Sequence, residues 1–232
     1  MTQVTTPRYV ILDYPRDVLT RIERAARTCY KSEDKITQGS AEKLVRSLLK
    51  RGHMPMIEFG GEATVKFVSN RGFTHEMVRH RLCSFAQEST RYCNYGKGKF
   101  GSEITVCDPT EALALRVTEG EDRVAQRARW KLKMLNSWAR AEEDYLDLVN
   151  DGCPAELARE VLPIGVKAEI VVSANVREWS HIFSQRAHHL AHPRMRELMV
   201  PLLRDFRKLM PVIFDDVVPK SKGRPKTRPV VT

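Results

Sequence analysis

No stretch of this chain approaches the roughly 18–20 consecutive apolar residues that a membrane span needs. The opening residues, MTQVTTPRYVILDYPRD, lack the basic-then-apolar pattern of a secretory leader. Five cysteines (Cys29, Cys83, Cys93, Cys107 and Cys153) form an odd set without a CxxC pair. That argues against a disulfide scaffold or a thiolate zinc site and for a reducing, cytoplasmic setting. Aromatic residues make up only 7%, too sparse for basic residues interleaved with base-stacking rings. There is no HExxH pattern and no internal repeat.

What remains is a chain of 232 residues, 42% hydrophobic and 29% charged, long enough to bury one full core. Its formal net charge is +10, and from Pro219 onward PKSKGRPKTRPVVT carries five Lys or Arg and no acid, half the excess. The sequence therefore divides into a single domain over 1–218 and a basic tail over 219–232, expected to be disordered. That tail either attracts polyanions weakly through counterion release or is simply solvated. The moderately basic body suits an anionic substrate without naming one.

Periodicity gives the elements. Residues 16–31 place Val18, Leu19, Ile22, Ala25, Ala26 and Cys29 on one helical stripe, and a second helix follows Ser40 as N-cap. EATVKFV (62–68) alternates as a half-buried strand. RGFTHEMVRHRL (71–82) returns to a helical period with Thr74 as cap, and SEITVCDP reads as a short strand. Residues 121–149 form one long helix with Trp130, Leu132, Leu135, Trp138 and Tyr145 as core positions. Pro154 opens a helix through AELAREV, and LPIGVKAEIVVSAN reads as a strand. Asn175 then caps the helix REWSHIFSQRA, and a last helix spans 193–210. The class is α/β or α+β, a mixed sheet flanked by helices, without a doubly wound pattern.

The segment RHRLCSFAQESTRY concentrates the chemistry. Arg79, Arg81 and Arg91 crowd around His80, Ser84, Gln87, Glu88 and Ser89 within thirteen residues. Guanidinium forks match phosphate geometry and make strong charge-assisted bonds. The cluster is either a site for phosphorylated ligands or a solvated helix surface.

Arg79-His80-Arg81 followed by seven residues and Ser89 resembles the signature of the flavin-dependent thymidylate synthases, and Ser89-Thr90-Arg91-Tyr92 continues it. Three other segments agree in order: Arg51-Gly52-His53 with Glu58, PAELAREVLP carrying Arg159, and Asn175-Val176-Arg177-Glu178-Trp179 followed by His181 and Arg186. HPRMREL (192–198) is similar to the usual continuation. The likeness spans roughly residues 15–210. Departures are Ala86-Gln87 where many members have Asn-Glu, Pro55 in place of Ser or Thr, and Phe59 in place of His.

The resemblance implies the fold of that family and an enzyme that binds FAD and methylates dUMP to dTMP. The carbon donor would be 5,10-methylenetetrahydrofolate, the reductant NADPH and the assembly a homotetramer with shared sites. It implies flavin contacts from His53, Glu58, Arg79, His80, Arg81, Gln87, Asn175, Arg177 and His181. The nucleotide would be held by Glu76, Arg79, Gln87, Ser89, Arg91 and Arg159. Arg186 would face the uracil edge and stabilise charge developing on the ring. No cysteine nucleophile and no metal are expected. Two alternatives are a dUMP hydroxymethylase on the same scaffold and a basic nucleic-acid-binding protein.

Several signals carry less. Gly96-Lys97-Gly98-Lys99-Phe100-Gly101 matches GxGxxG, but it leads into a strand rather than a helix. His188, His189 and His192 lack the partners of a zinc site. Ser89 has no His-Asp set nearby and reads as a ligand-binding hydroxyl.

Overall fold

In the computed structural model, residues 2–91, 95, 103–116 and 121–217 are described. Two strands, β1 (Gln3–Thr5) and β2 (Arg8–Asp13), precede the helices α1 (Val18–Thr28) and α2 (Ser40–Lys50). A 3-10 segment, Met54–Gly60, leads into β3 (Glu62–Asn70) and the short helix α3 (Arg71–Met77). Then come β4 (Ser84–Gln87), β5 (Thr105–Cys107), α4 (Thr110–Arg116) and the long α5 (Glu121–Asn150). The chain continues through α6 (Ala155–Ala158), a 3-10 turn at Arg159–Val161, β6 (Lys167–Asn175), α7 (Val176–Arg186) and α8 (Pro193–Leu209).

Alternation dictates the central sheet. Its order is β2-β3-β6-β4 and every pairing is antiparallel, while β1 and β5 form a separate parallel pair. Val65 faces Val172, and Phe67 faces Ile170. These side chains, with Ala63 and Ala174, point to one face and are buried. Thr64 and Lys66, opposite Ser173 and Val171, point the other way and stay partly exposed. A single slip in register would exchange the two faces, so the apolar pattern fixes the pairing.

Helices α1, α2, α7 and α8 cover the apolar face. Trp179, Phe183, Phe206 and Phe214 pack there with ring centroids 5.2–5.8 Å apart, mostly edge to face as the ring quadrupoles prefer. The indole N–H of Trp179 donates to the Ala63 carbonyl at 2.9 Å, so the largest buried ring carries no unpaired donor. A smaller cluster joins Tyr95, Ile104, Val106, Trp138, Tyr145 and Ala158 beside α5. Gly165 belongs there by necessity, because a Cβ on it would stand 2.4 Å from Cζ2 of Trp138.

Several expectations change. The helix starting at Arg71 ends at Met77, and Asn70 rather than Thr74 caps it, its Oδ1 accepting from Phe73 N–H. Thr74 instead donates to the Arg71 carbonyl. Ser40 is the first residue of α2 and bonds back to Thr37, while Gly39 is the cap. Trp130 and Leu132 are exposed, because the side of α5 that packs inward carries Leu135, Trp138 and Tyr145. Cys29 lies just past α1 and is exposed. Pro154 caps α6, which passes into a 3-10 turn after one turn, and β6 begins only at Lys167. Asn175 does cap α7, accepting from Glu178 N–H. Strands β1, β2 and β4 add to the elements that periodicity marks. The tail 219–232 and the run Gly96–Gly101 lie outside the described residues, as do Tyr92 and Cys93.

Candidate active site

The Arg-His-Arg run follows α3 and leads into β4, so the chain turns sharply between helix and sheet edge. His80 is drawn inward and is 5% exposed, whereas Arg79 and Arg81 on either side are exposed. Opposite them, α7 presents Glu178, His181 and Gln185 at helical spacing, with Arg186 next to Gln185. Together with Leu82 these residues line a cavity of about 310 Å³.

Arg186 is the best-fixed guanidinium in the cavity. Its Nη1 donates to Glu76 Oε2 at 2.6 Å and its Nη2 to the Glu76 carbonyl at 3.1 Å. Its Nε donates to His80 Nε2 at 2.9 Å. Three bonds from one planar fork leave little rotational freedom, so the group is held before any ligand arrives. Because arginine stays protonated, His80 Nε2 must be the acceptor and its proton must sit on Nδ1.

Burial, with the Arg186 and His181 charges adding to it, pulls His80 down to about 4. Glu178 lies 3.7 Å from His80 Nδ1, yet burial raises Glu178 above its ordinary value. Both partners move toward neutrality, so this contact is not an ion pair near neutral pH. His80, Glu178 and His181 nonetheless place ligand-type atoms within 4.8 Å of one another, a donor set of metal-binding kind. The tautomer imposed by Arg186 puts a proton where a metal would need the His80 Nδ1 lone pair, and the adjacent guanidinium repels a cation. The set therefore suits hydrogen bonding rather than a metal.

A second cluster sits at the other end of α3. Arg71 Nη2 and Arg159 Nη1 both donate to Thr90 Oγ1, at 2.8 and 3.2 Å. Gln87 Nε2 donates to Thr74 Oγ1 at 3.1 Å, tying β4 to α3. Ser89 Oγ accepts from Arg91 N–H, and the Arg91 side chain reaches Glu156 at 3.6 Å. Arg71 and Glu76 are five residues apart, so about 7.5 Å of helix separates the two clusters.

A third group is more open. Arg177 pairs with Glu58 at 2.5 Å, linking α7 to the 3-10 segment. His53 precedes that segment and is exposed. Asn175 spends its Oδ1 on the α7 cap, which leaves its amide NH2 to donate elsewhere.

The cavity thus gathers Arg79, His80, Arg81, His181 and Arg186, with Glu76 behind Arg186. Ser89, Arg91 and Arg159 gather around Thr90 and Gln87 is tied to Thr74 on α3, whereas His53, Glu58, Arg177 and Asn175 do not line the cavity. Sequence reading missed Glu178, Gln185, Leu82 and Arg71. The spacing 178, 181, 185 is a helical-face signal that was available. No local signal marks Arg71, whose partners lie 19 and 88 positions away or share only an oxygen with it.

Two of the described cysteines, Cys83 and Cys107, are held as thiols. Burial pushes the Cys83 thiol up to about 12, with the Glu178 charge adding to it. Burial likewise holds Cys107 near 12. Neither supplies a thiolate at neutral pH.

A mixed α/β scaffold here sets guanidiniums around a neutral imidazole, a chemistry that suits phosphorylated ligands. Comparison with known proteins narrows the class. Residues 10–212 match the family model described as thymidylate synthase complementing protein. The flavin-dependent thymidylate synthase of Geobacter sulfurreducens is 30% identical over 224 residues, covering 91% of this chain and 87% of the relative. That of Mycobacteroides abscessus is 31% identical over 198 residues, covering 84% and 78%. The crystal structure of a UMP/dUMP methylase, PolB from Streptomyces cacaoi bound with 5-Br dUMP, superposes with a TM-score of 0.72 at 25% identity, over 91% of this chain and 95% of that one. The chain belongs to the flavin-dependent thymidylate synthase family. Among the described residues no helix is long and apolar enough to cross a membrane.

Proposed function

We propose that this protein is an FAD-dependent methyltransferase that converts dUMP to dTMP, with 5,10-methylenetetrahydrofolate as carbon donor and NADPH as reductant. The observation that carries the reading is Arg186, held by three bonds beside a guanidinium-lined cavity.

The residues fit a flavin in kind. Arg79 and Arg81 offer exposed forks for its phosphates, and Leu82, 74% exposed, offers an apolar edge for a flat ring. Neutral His80, His181 and the Asn175 amide supply polar contacts, while His53, Glu58, Arg177 and Gln87 complete the proposed flavin set. When bound, the flavin supplies the hydride. The chain's own part is binding, orientation and electrostatics.

Glu76 and His80 aim the Arg186 fork into the cavity. A fixed guanidinium beside the pyrimidine lowers the cost of negative charge developing on the ring, and it does so without reorganising. Gln87, Ser89, Arg91 and Arg159, with Arg79 near the base, hold the nucleotide, its phosphate facing the arginines. The raised Cys83 and Cys107 thiols agree with chemistry that uses no cysteine nucleophile. A homotetramer and a cytoplasmic setting complete the proposal, supported by the family membership and by free cysteines. The body 1–218 acts as one domain, and the basic tail serves at most as a weak polyanion contact.

The purified protein should show a flavin absorption band. It should form dTMP when given dUMP, methylenetetrahydrofolate and NADPH, with UMP run beside dUMP as a competitor. A colourless protein that gives no methylated product after FAD addition overturns the reading, and a product with the mass of hydroxymethyl-dUMP replaces it with the hydroxymethylase.

A further inference from the structure

We propose that Arg71, which no motif marks, is a substrate-binding residue that forms with Arg159 and the Thr90 hydroxyl a clamp for a phosphate monoester. The inference rests on the dUMP reading above and adds a residue to it.

The argument begins with one oxygen. Thr90 is 6% exposed, and its Oγ1 accepts from Arg71 at 2.8 Å and from Arg159 at 3.2 Å. A hydroxyl oxygen has two lone pairs and one proton. Both lone pairs face guanidiniums, so the group can only donate, and its proton has no acceptor among the described residues. Neither Arg71 nor Arg159 pairs with a carboxylate among the described residues. Two half-buried cations sharing one neutral oxygen repel each other. Their donor nitrogens lie at most about 6 Å apart, close enough for one anion to accept from both.

The surroundings fit a phosphate better than a carboxylate. Ser89 and Arg91 flank Thr90 in the same turn, which brings a further hydroxyl and a third guanidinium. The Arg91–Glu156 contact is long at 3.6 Å, with both side chains more than half exposed. Arg71 is set by its place at the start of α3, where its own carbonyl accepts from Thr74, which in turn accepts from Gln87. A phosphate oxygen taking the Thr90 proton would lie between the Arg71 and Arg159 forks.

The test compares dUMP with deoxyuridine, which lacks the phosphate, in the flavin-loaded full-length protein. Arg71→Leu should raise the dissociation constant and KM for dUMP at least tenfold and leave deoxyuridine affinity within twofold. Turnover at saturating dUMP should stay within threefold. Arg71→Lys, which keeps the charge and guards against misfolding, should lose a smaller part of the dUMP preference, since a point charge cannot bridge two oxygens. Inorganic phosphate should compete with dUMP in the wild type and more weakly in either variant. If both variants keep the wild-type preference for dUMP over deoxyuridine, or weaken both ligands equally, Arg71 is a strut for the Thr90 turn and the proposal fails. A wild type that binds dUMP no better than deoxyuridine would instead sink the nucleotide reading itself, and this proposal with it.

Discussion

Glu76→Ala tests whether Glu76 acts by holding Arg186 or by touching substrate itself. The carboxylate accepts from Nη1 at 2.6 Å, and the backbone carbonyl of the same residue accepts from Nη2. The variant removes the first bond and keeps the second, along with the Nε bond to His80. A charge-assisted bond contributes about 1.5–3 kcal/mol. The two side chains are 19% and 31% exposed, so water screens the pair only in part. A loss of about 2 kcal/mol in the positioning of Arg186 corresponds to about thirtyfold in turnover. Steady-state kinetics should show that fall mainly in kcat, because the oriented fork matters most where charge develops. Arg186→Lys should itself lose most turnover while FAD stays bound. In a double-mutant cycle, adding Glu76→Ala to Arg186→Lys should cost far less than Glu76→Ala alone, since the carboxylate would have no fork left to hold. Fully additive losses, or a change confined to KM, would refute the reasoning and make Glu76 a direct substrate ligand.

His80 predicts an acid-side loss of stability. Its neutral form is favoured in the fold, so its contribution is complete above the unfolded value near 6.5 and is lost as pH falls toward about 4. The full effect is about 3 kcal/mol, and urea midpoints measured from pH 7.5 to 4 should fall, with a shallower slope in His80→Gln. Cys83→Ala should leave dTMP formation within about tenfold, a range that packing alone can produce, and abolished chemistry in a flavin-loaded variant would point to a thiol mechanism. Gly165→Ala places a methyl 2.4 Å from Trp138 and should cost about 1–3 kcal/mol in urea unfolding. Adding Trp138→Phe should recover part of that loss, and an unaffected midpoint for Gly165→Ala would show that Trp138 moves freely. Truncation after Val218 should leave folding, flavin content and turnover nearly unchanged, and loss of FAD would show that the tail has a structural role.

The strongest parts of the fold were already written in period and composition. β3 alternates, so Ala63, Val65 and Phe67 had to share a face whatever they packed against. Asn175 before a helical run announced the α7 cap, and the spaced Arg-His-Arg element pointed to the segment that lines the cavity. Periodicity reports only one face at a time, however. It marked Trp130 and Leu132 as apolar without revealing that α5 turns them to the surface. It also carried the Arg71 helix five residues too far, because a helical period persists through a turn that β4 ends by pairing with β6. Thr74 is a good capping residue type, but Asn70 reached the free N–H groups first. What tertiary structure alone decided is the wiring between distant residues. Arg186 meets Glu76 and His80 across more than a hundred positions, and Arg71 meets Arg159 on a single hydroxyl. Local sequence sets which side chains can hold a charge. Only the packing of α7 and the Thr90 turn against α3 sets which charges share a partner, because electrostatic and hydrogen-bonding energies depend on distances that the folded chain alone defines.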